Sequence, residues 1–125
     1  MRMIKTFEGA CKVLGHDPVK VLPKVTGFPK AHQKALLATA KLVIINEALN
    51  FQDNGKKKWV PDWDNTSEGK YYPWFWMDSP GFRLYGVNYT DSTTTVGARL
   101  VYRTRALAEY AGKQFASVYK DLMLL

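Results

Sequence analysis

The chain has 125 residues, of which 46% are apolar and 23% are charged, and these fractions are ordinary for a globular protein. They exclude a fibrous repeat and a chain that is disordered throughout, and the length predicts one domain over residues 1–125. The net charge of +7 favours polyanionic partners such as nucleic acid, but it identifies no site.

The cysteine content and the N-terminal residues indicate the cellular compartment in which the protein resides. Cys11 is the only cysteine, so the chain cannot form an internal disulfide, which is typical of cytoplasmic proteins. Charged residues interrupt positions 1–14, where a signal peptide would need a continuous apolar stretch. The longest apolar run, residues 42–45, is much shorter than a membrane span. We therefore predict a cytoplasmic protein with no membrane partner.

Residues 1–55 are predicted to be mainly helical. Apolar residues recur at helical spacing over residues 3–14, with Thr6 as the N-cap and Gly15 at the C-terminal end. A second and longer apolar stripe runs over residues 30–50 and predicts an amphipathic helix that lines the core.

Residues 56–70 are predicted to form a tryptophan-rich loop, and residues 71–104 to form antiparallel strands. The loop segment contains proline, aspartate and glycine without any apolar periodicity. The alternation that follows predicts three strands, at residues 71–77, 82–87 and 96–104. In the third strand, Arg99 and Arg103 would lie on a basic outer face.

The C-terminal residues 105–125 are predicted to form one helix that begins at an N-cap, Thr104. Its apolar side would cover the sheet. The predicted fold class is therefore α+β, with a three-stranded antiparallel sheet packed against a long middle helix and a C-terminal helix, and with a short N-terminal helix.

No pattern in the sequence indicates catalysis. His16 and His32 sit in no motif with a nucleophile, and Cys11 falls on the apolar side of the first predicted helix. Asp62 and Asp64 resemble an acid–base pair, but turn and cap roles suit them better. Metal-ligand spacings and glycine-rich phosphate loops are absent from the sequence. We predict a protein that is not an enzyme and that uses neither a metal nor a cofactor.

The first candidate binding segment combines lysines with tryptophans. Lys56, Lys57 and Lys58 form the only basic run and directly precede Trp59 and Trp63. In single-stranded nucleic acid binding, bases stack on aromatic rings while lysines contact phosphates. Aromatic side chains also fill cores and contact protein partners. Nucleic-acid binding is therefore one of several hypotheses for this segment.

The second candidate binding segment is the polar stretch of residues 85–94, which includes Tyr85, Asn88 and Tyr89. Tyrosine, glycine, asparagine and serine are typical of adaptable recognition loops. The same composition is equally typical of a connection between two strands.

Several stretches taken together resemble a family of small uncharacterised proteins from phages and integrated mobile elements of gut bacteria. The stretches are residues 5–15 (KTFEGACKVLG), 59–65 (WVPDWDN), 70–75 (KYYPWF), 96–100 (VGARL) and 107–115 (LAEYAGKQF). The resemblance covers nearly the whole chain. It implies a phage or mobile-element setting and carries over no catalytic residue.

Two functions are therefore predicted as alternatives. The first is a non-catalytic protein-interaction factor, such as a virion component or an inhibitor of a host protein, which uses the 85–95 segment and exposed tryptophans. The second is a nucleic-acid-binding module that uses the lysine and tryptophan segment with Arg99 and Arg103. Its affinity would fall steeply as the salt concentration rises.

Overall fold

The computed structural model describes residues 3–125, which form helices and one two-stranded sheet. In chain order the elements are α1 (Phe7–Leu14), α2 (Lys30–Asp53), β1 (Lys70–Trp76), β2 (Arg83–Thr90), α3 (Arg105–Gln114) and α4 (Ala116–Met123). A short 3-10 turn at Ala98–Leu100 precedes α3. Within residues 3–125, none of the helices combines the length and the apolar character that a membrane span needs. The α+β class is confirmed.

The first helix has the predicted ends. The N–H of Gly9 donates to Thr6 Oγ1 at 2.9 Å, which satisfies one of the free backbone donors of the first turn. Gly15 adopts φ 77°, a left-handed conformation that glycine reaches without a steric penalty, and α1 ends there. Cys11 is buried in the core, as predicted, and this burial raises the pKa of its thiol.

The long helix α2 forms one wall of the core. Its buried apolar stripe consists of Ala38, Leu42, Ile45, Ala48 and Leu49, and the helix contacts both α1 and α4. The helix continues to Asp53, three residues beyond the predicted end.

The sheet is an antiparallel hairpin in which Lys70 lies opposite Thr90 and Trp76 lies opposite Arg83. Side chains of a strand alternate between two faces. Tyr71, Pro73 and Phe75 therefore share the inner face of β1, which packs on α3. The hairpin has a buried face and an outer face.

Helix α3 approaches the inner face of the hairpin very closely at Gly112. A Cβ atom at this position would lie 2.7 Å from Leu84 Cδ1 and 2.9 Å from Pro73 Cβ. Both distances are shorter than van der Waals contact. Only a residue without a side chain lets the helix and the hairpin pack at this separation.

We expect Gly112→Ala to lower the free energy of unfolding by about 1–2 kcal/mol, because overpacking outweighs the gain in helix propensity. At an open helical site the same change would stabilise the protein by about 1 kcal/mol. Urea denaturation measures the difference. Gly27→Ala is the control, since no atom lies within 4 Å of the added methyl group. A Gly112→Ala protein as stable as the native chain would contradict the close packing.

The predicted third strand, residues 96–104, is wrong. Ala98–Leu100 form a 3-10 turn, and only Tyr102 pairs with the sheet, by two backbone hydrogen bonds to Tyr71 of 2.7 and 2.9 Å. The N–H and C=O of Tyr102 face β1, so Val101 O and the N–H of Arg103 face away from it. The side-chain amide of Asn50 on α2 donates to Val101 O at 3.0 Å and accepts from the N–H of Arg103 at 2.9 Å, which holds this segment against the helix, and the 3-10 turn interrupts its pairing with β1.

The prediction of one continuous C-terminal helix is also wrong, because the chain bends at Phe115. This residue has φ −109° and ψ 26°, and it separates α3 from α4. Helix α3 packs on both strands, whereas α4 packs on α2. The bend lets the two halves reach partners in different directions while Phe115 itself stays in the core.

Two tyrosines meet in the core between the sheet and the helices. The hydroxyl groups of Tyr102 and Tyr119 lie 2.8 Å apart, and both side chains are buried. Burial raises the pKa of Tyr102 to about 12 and raises the pKa of Tyr119 well above its usual value. Both hydroxyls therefore stay neutral, and one donates a hydrogen bond to the other.

Candidate functional site

The tryptophan-rich segment is an ordered loop that folds around the ammonium group of Lys70. Lys70 is fully buried at the start of β1, and its Nζ donates to Asp62 O at 2.6 Å and to Asn65 O at 3.1 Å. Glu68 Oε1 lies 3.5 Å from the same Nζ, and the Trp63 ring centroid lies 5.2 Å away. Two carbonyl groups, one carboxylate and one aromatic face together compensate the buried charge.

The acidic residues of this loop hold its turns. Glu68 Oε1 accepts from the N–H of Asp62 at 2.8 Å, and Asp62 Oδ1 accepts from the N–H of Asp64 at 3.0 Å. Asn65 Oδ1 accepts from the N–H of Ser67 in the same way. Asp62 therefore has the predicted turn role.

A cleft of about 510 Å³ brings together four of the residues predicted to bind. It lies between α2, the tryptophan-rich loop and the 3-10 turn. Lys58, Trp59 and Trp63 line it from the loop, and Arg99 lines it from the turn. Trp59 and Trp63 are half-buried, and the two cationic side chains are exposed. Because Arg99 lies on a 3-10 turn, it reaches the loop instead of an outer sheet face.

Helix α2 contributes polar residues to this cleft that the sequence patterns did not indicate. Glu47 is exposed at its edge, and Asn46 and Asn50 are buried at its floor. Both amides donate to Val101 O, at 2.8 and 3.0 Å, so they hold the 3-10 turn segment against the helix. Their spacing is the signal in the sequence. Asn46 and Asn50 are four residues apart on α2, and each directly follows a residue of the apolar stripe, Ile45 or Leu49.

The remaining predicted cations lie outside the cleft. Lys56 has φ 61° in the turn that ends α2, and Lys57 O accepts from the side chain of Asn54 at 3.1 Å. Arg103 Nη1 donates to Asp53 Oδ2 at 2.7 Å and to Asp53 O at 3.1 Å. Arg103 thus ties the end of α2 to the segment before α3, which is a structural role.

The outer face of the hairpin carries a second cluster, formed by Trp74, Trp76 and Tyr85. The ring of Tyr85 stacks on Trp74 with 6.1 Å between centroids and meets the edge of Trp76 at 4.8 Å. Their exposed fractions are 45%, 42% and 57%. We call these three residues the aromatic face.

A β-bulge builds the aromatic face. Trp74 pairs with Gly86, whereas the next residue, Phe75, pairs with Leu84, so Tyr85 is an extra residue on β2. Bulges re-aim the side chains next to them. Gly86 has no side chain to cover the Trp74 ring, and Tyr85 stacks there instead.

The cation nearest the aromatic face is already paired. The Arg83 guanidinium lies 5.2 Å from the ring centroid of Trp76, and its Nη1 donates to Asp78 Oδ1 at 3.1 Å and to Gly81 O at 2.6 Å. Its charge is therefore balanced by a neighbouring carboxylate.

The other predicted residues of the 85–94 segment lie on β2 and not in a loop. Asn88 is opposite Tyr72, and Tyr89 is opposite Tyr71 with 6.0 Å between the ring centroids. Tyr89 is on the same side of the hairpin as Tyr71, away from the aromatic face. The structure thus separates Tyr85 from Tyr89.

Among residues 3–125, no three His, Cys, Asp or Glu side chains converge as metal ligands. His16 and His32 are both exposed and lie on different elements.

No family model, curated protein or solved structure matches this chain.

Proposed function

We propose that the protein is a non-catalytic protein-interaction factor that binds its partner through the aromatic face of the hairpin. The observation that carries the proposal is the cluster itself, in which Trp74, Trp76 and Tyr85 pack on one another while about half of each side chain stays exposed. Tryptophan, tyrosine and arginine dominate the binding energy of protein interfaces. Contiguous exposed apolar patches mark such interfaces on soluble proteins.

The aromatic face is a preformed binding surface, because the hairpin that presents it is fixed in the core. Phe75 alternates with the two tryptophans and packs on Phe82 and Tyr119 beneath them, with 4.6 and 4.9 Å between centroids. The strand that presents the aromatic face is therefore anchored in the core. A rigid aromatic surface loses little conformational entropy when it binds.

The placement of charge favours a protein partner over nucleic acid for this face. Nucleic-acid platforms place unpaired cations beside stacked rings. Here Arg83 is paired with Asp78, and Lys58 belongs to the cleft on another part of the molecule. At roughly 3.3 Å per residue, Trp76 lies about 20 Å along β1 from Lys70, where the tryptophan-rich loop is attached.

The resemblance to proteins of phages and mobile elements supplies the setting of the proposal. In that setting the partner is a virion subunit or a protein of the bacterial host, met in the host cytoplasm. We do not propose a reaction for either case, because an interaction through exposed aromatic residues needs no chemical step.

The test is a triple substitution, Trp74→Thr, Trp76→Thr and Tyr85→Thr. Threonine preserves strand propensity, and the side chains removed are half-exposed, so we expect the variant to fold with about the native stability. We expect its affinity for the partner to fall by at least about 100-fold, since hot-spot truncations cost about 2 kcal/mol or more each. Quantitative capture from a nuclease-treated lysate of gut bacteria, washed at high salt, measures this loss.

Phe28→Thr is the matched control, because Phe28 is an aromatic residue with 45% exposure that lies outside the hairpin. The control should retain the same protein as the native chain. The proposal is wrong if the triple variant captures that protein equally well, or if nuclease treatment removes everything that the native chain retains.

A further inference from the structure

The cleft between α2 and the tryptophan-rich loop is surrounded by charges that have no partner within residues 3–125. Lys58 and Arg99 line it, and neither forms an ion pair or a side-chain hydrogen bond there. Glu47 is likewise unpaired on the α2 side. By contrast, the cations that stabilise the fold, Lys70 and Arg103, are bound to acceptors. The cleft therefore places three unpaired charged side chains around one concave site.

We propose that this cleft binds one small planar aromatic ligand that carries an anionic group, of the size of a nucleoside monophosphate. The inference is independent of the aromatic face of the hairpin. The residues that would hold the ligand, Lys58, Trp59, Trp63 and Arg99, were predicted from the sequence to bind, and the proposed protein interaction does not use them.

The aromatic part of the ligand is recognised by the walls of the cleft. Trp59 and Trp63 supply indole surfaces, and Val60 and Pro61 supply apolar contacts between them. Trp63 is fixed in place, because Lys70 Nζ lies 5.2 Å from its ring centroid and is itself fully buried. A fixed indole wall is suited to stacking against a base. The volume of about 510 Å³ is within the range of small-molecule sites, roughly 300–1,000 Å³.

The anionic part is recognised by Arg99 and Lys58. A guanidinium group binds phosphate or carboxylate through two parallel N–H donors, and an ammonium group adds a point charge. Glu47 opposes part of this positive charge. Two positive groups and one negative group leave a net charge of +1 at the cleft, which attracts a ligand with a negative group. A neutral aromatic compound would gain only the stacking energy.

The cleft accommodates a single ring and not a continuous strand. The stacked bases of a bound strand need a row of aromatic side chains, and the exposed pair Trp74 and Trp76 lies on the hairpin, outside the cleft. The same chemistry is offered by a free nucleotide and by the terminal nucleotide of an oligonucleotide. Both are included in the test.

The experiment is titration of the full chain with the four nucleoside 5′-monophosphates, with tryptophan fluorescence and calorimetry as readouts. We expect saturable binding of at least one of them and weakening as the salt concentration rises. Adenosine, without the anion, and inorganic phosphate, without the ring, should each bind at least about tenfold more weakly than the intact nucleotide. A 5′-phosphorylated oligonucleotide that binds more tightly than every monophosphate identifies a terminal nucleotide as the source, and equal or weaker binding identifies the free nucleotide.

Arg99→Gln should weaken nucleotide binding by about tenfold without loss of folding, because Arg99 is exposed. Arg83→Gln, a change at an exposed arginine of the hairpin, should leave the affinity unchanged. Glu47→Gln should tighten binding severalfold by removing a like charge. Absence of saturable binding by any monophosphate up to millimolar concentration, or binding that Arg99→Gln does not weaken, would overturn the proposal.

Discussion

Replacing Asn50 by leucine is expected to lower the free energy of unfolding by about 3 kcal/mol. Leucine has nearly the shape of asparagine and preserves α2, so the change removes hydrogen bonds and little else. The N–H of Arg103 loses its acceptor, and Val101 O loses one of its two donors. A partly buried donor without a partner costs about 1–3 kcal/mol, and the loss of the second bond adds to it.

The comparison with Asn46→Leu tests the cause of this effect. Asn46 donates to the same oxygen, Val101 O, so either asparagine can still satisfy it when the other is removed. The double variant should therefore cost more than the sum of the two single changes. Urea denaturation of the three proteins measures the coupling. Additive effects, or an Asn50→Leu protein of native stability, would contradict the role of the two amides.

Replacing Lys70 by methionine is expected to cost about 2–4 kcal/mol and to loosen the tryptophan-rich loop. Methionine fills most of the space of the lysine side chain but donates no hydrogen bond. Asp62 O and Asn65 O would lose their shared donor, and the Glu68 carboxylate would lose its ion-pair partner. Since this donor lies at the centre of the loop, its removal should also expose the half-buried Trp63 ring.

The matched control for this change is Lys113→Met. Lys113 forms an exposed ion pair with Glu109 at 2.9 Å, one helical turn away, and such pairs contribute about 0.5 kcal/mol or less. Thermal unfolding gives the stabilities, and tryptic cleavage after Lys56–Lys58 reports on the loop. Cleavage should be faster in Lys70→Met alone. Equal stability and equal cleavage in both variants would show that the buried ammonium does not organise the loop.

Helices could be predicted from the sequence because their signals are local. The Thr6 and Thr104 caps, the left-handed Gly15 and the three- and four-residue apolar spacing all act within one or two turns. The hairpin was predicted within one to three residues at each end, because alternation over β1 and β2 is equally local.

The third strand was predicted wrongly because residues 98–100 form a 3-10 turn and the backbone beside Tyr102 is bound by a side chain on a distant helix. Alternation over residues 96–104 is compatible with a strand, but Val101 and Tyr102 are buried side by side and Val96 is fully exposed. Asn50 is about fifty residues away in sequence, and no local pattern reveals that its amide faces this segment. Tertiary contacts overrode a weak local preference.

The candidate sites were predicted in part. The four tryptophans were recognised as a group, but the structure divides them between the cleft, with Trp59 and Trp63, and the hairpin, with Trp74 and Trp76. The division depends on the strand register and on the bulge at Tyr85, which composition does not encode. The burial of Lys70 could not be predicted either, because lysine is almost always exposed.

Photo-cross-linking from the hairpin tests the central proposal most directly. A photoreactive phenylalanine analogue is introduced in place of Tyr85, and in a second protein in place of Phe28, which has similar exposure on another part of the molecule. Both proteins are irradiated in the nuclease-treated lysate. We expect a defined protein adduct from position 85 and none from position 28. The same adducts from both positions, or no protein adduct from position 85, would contradict it.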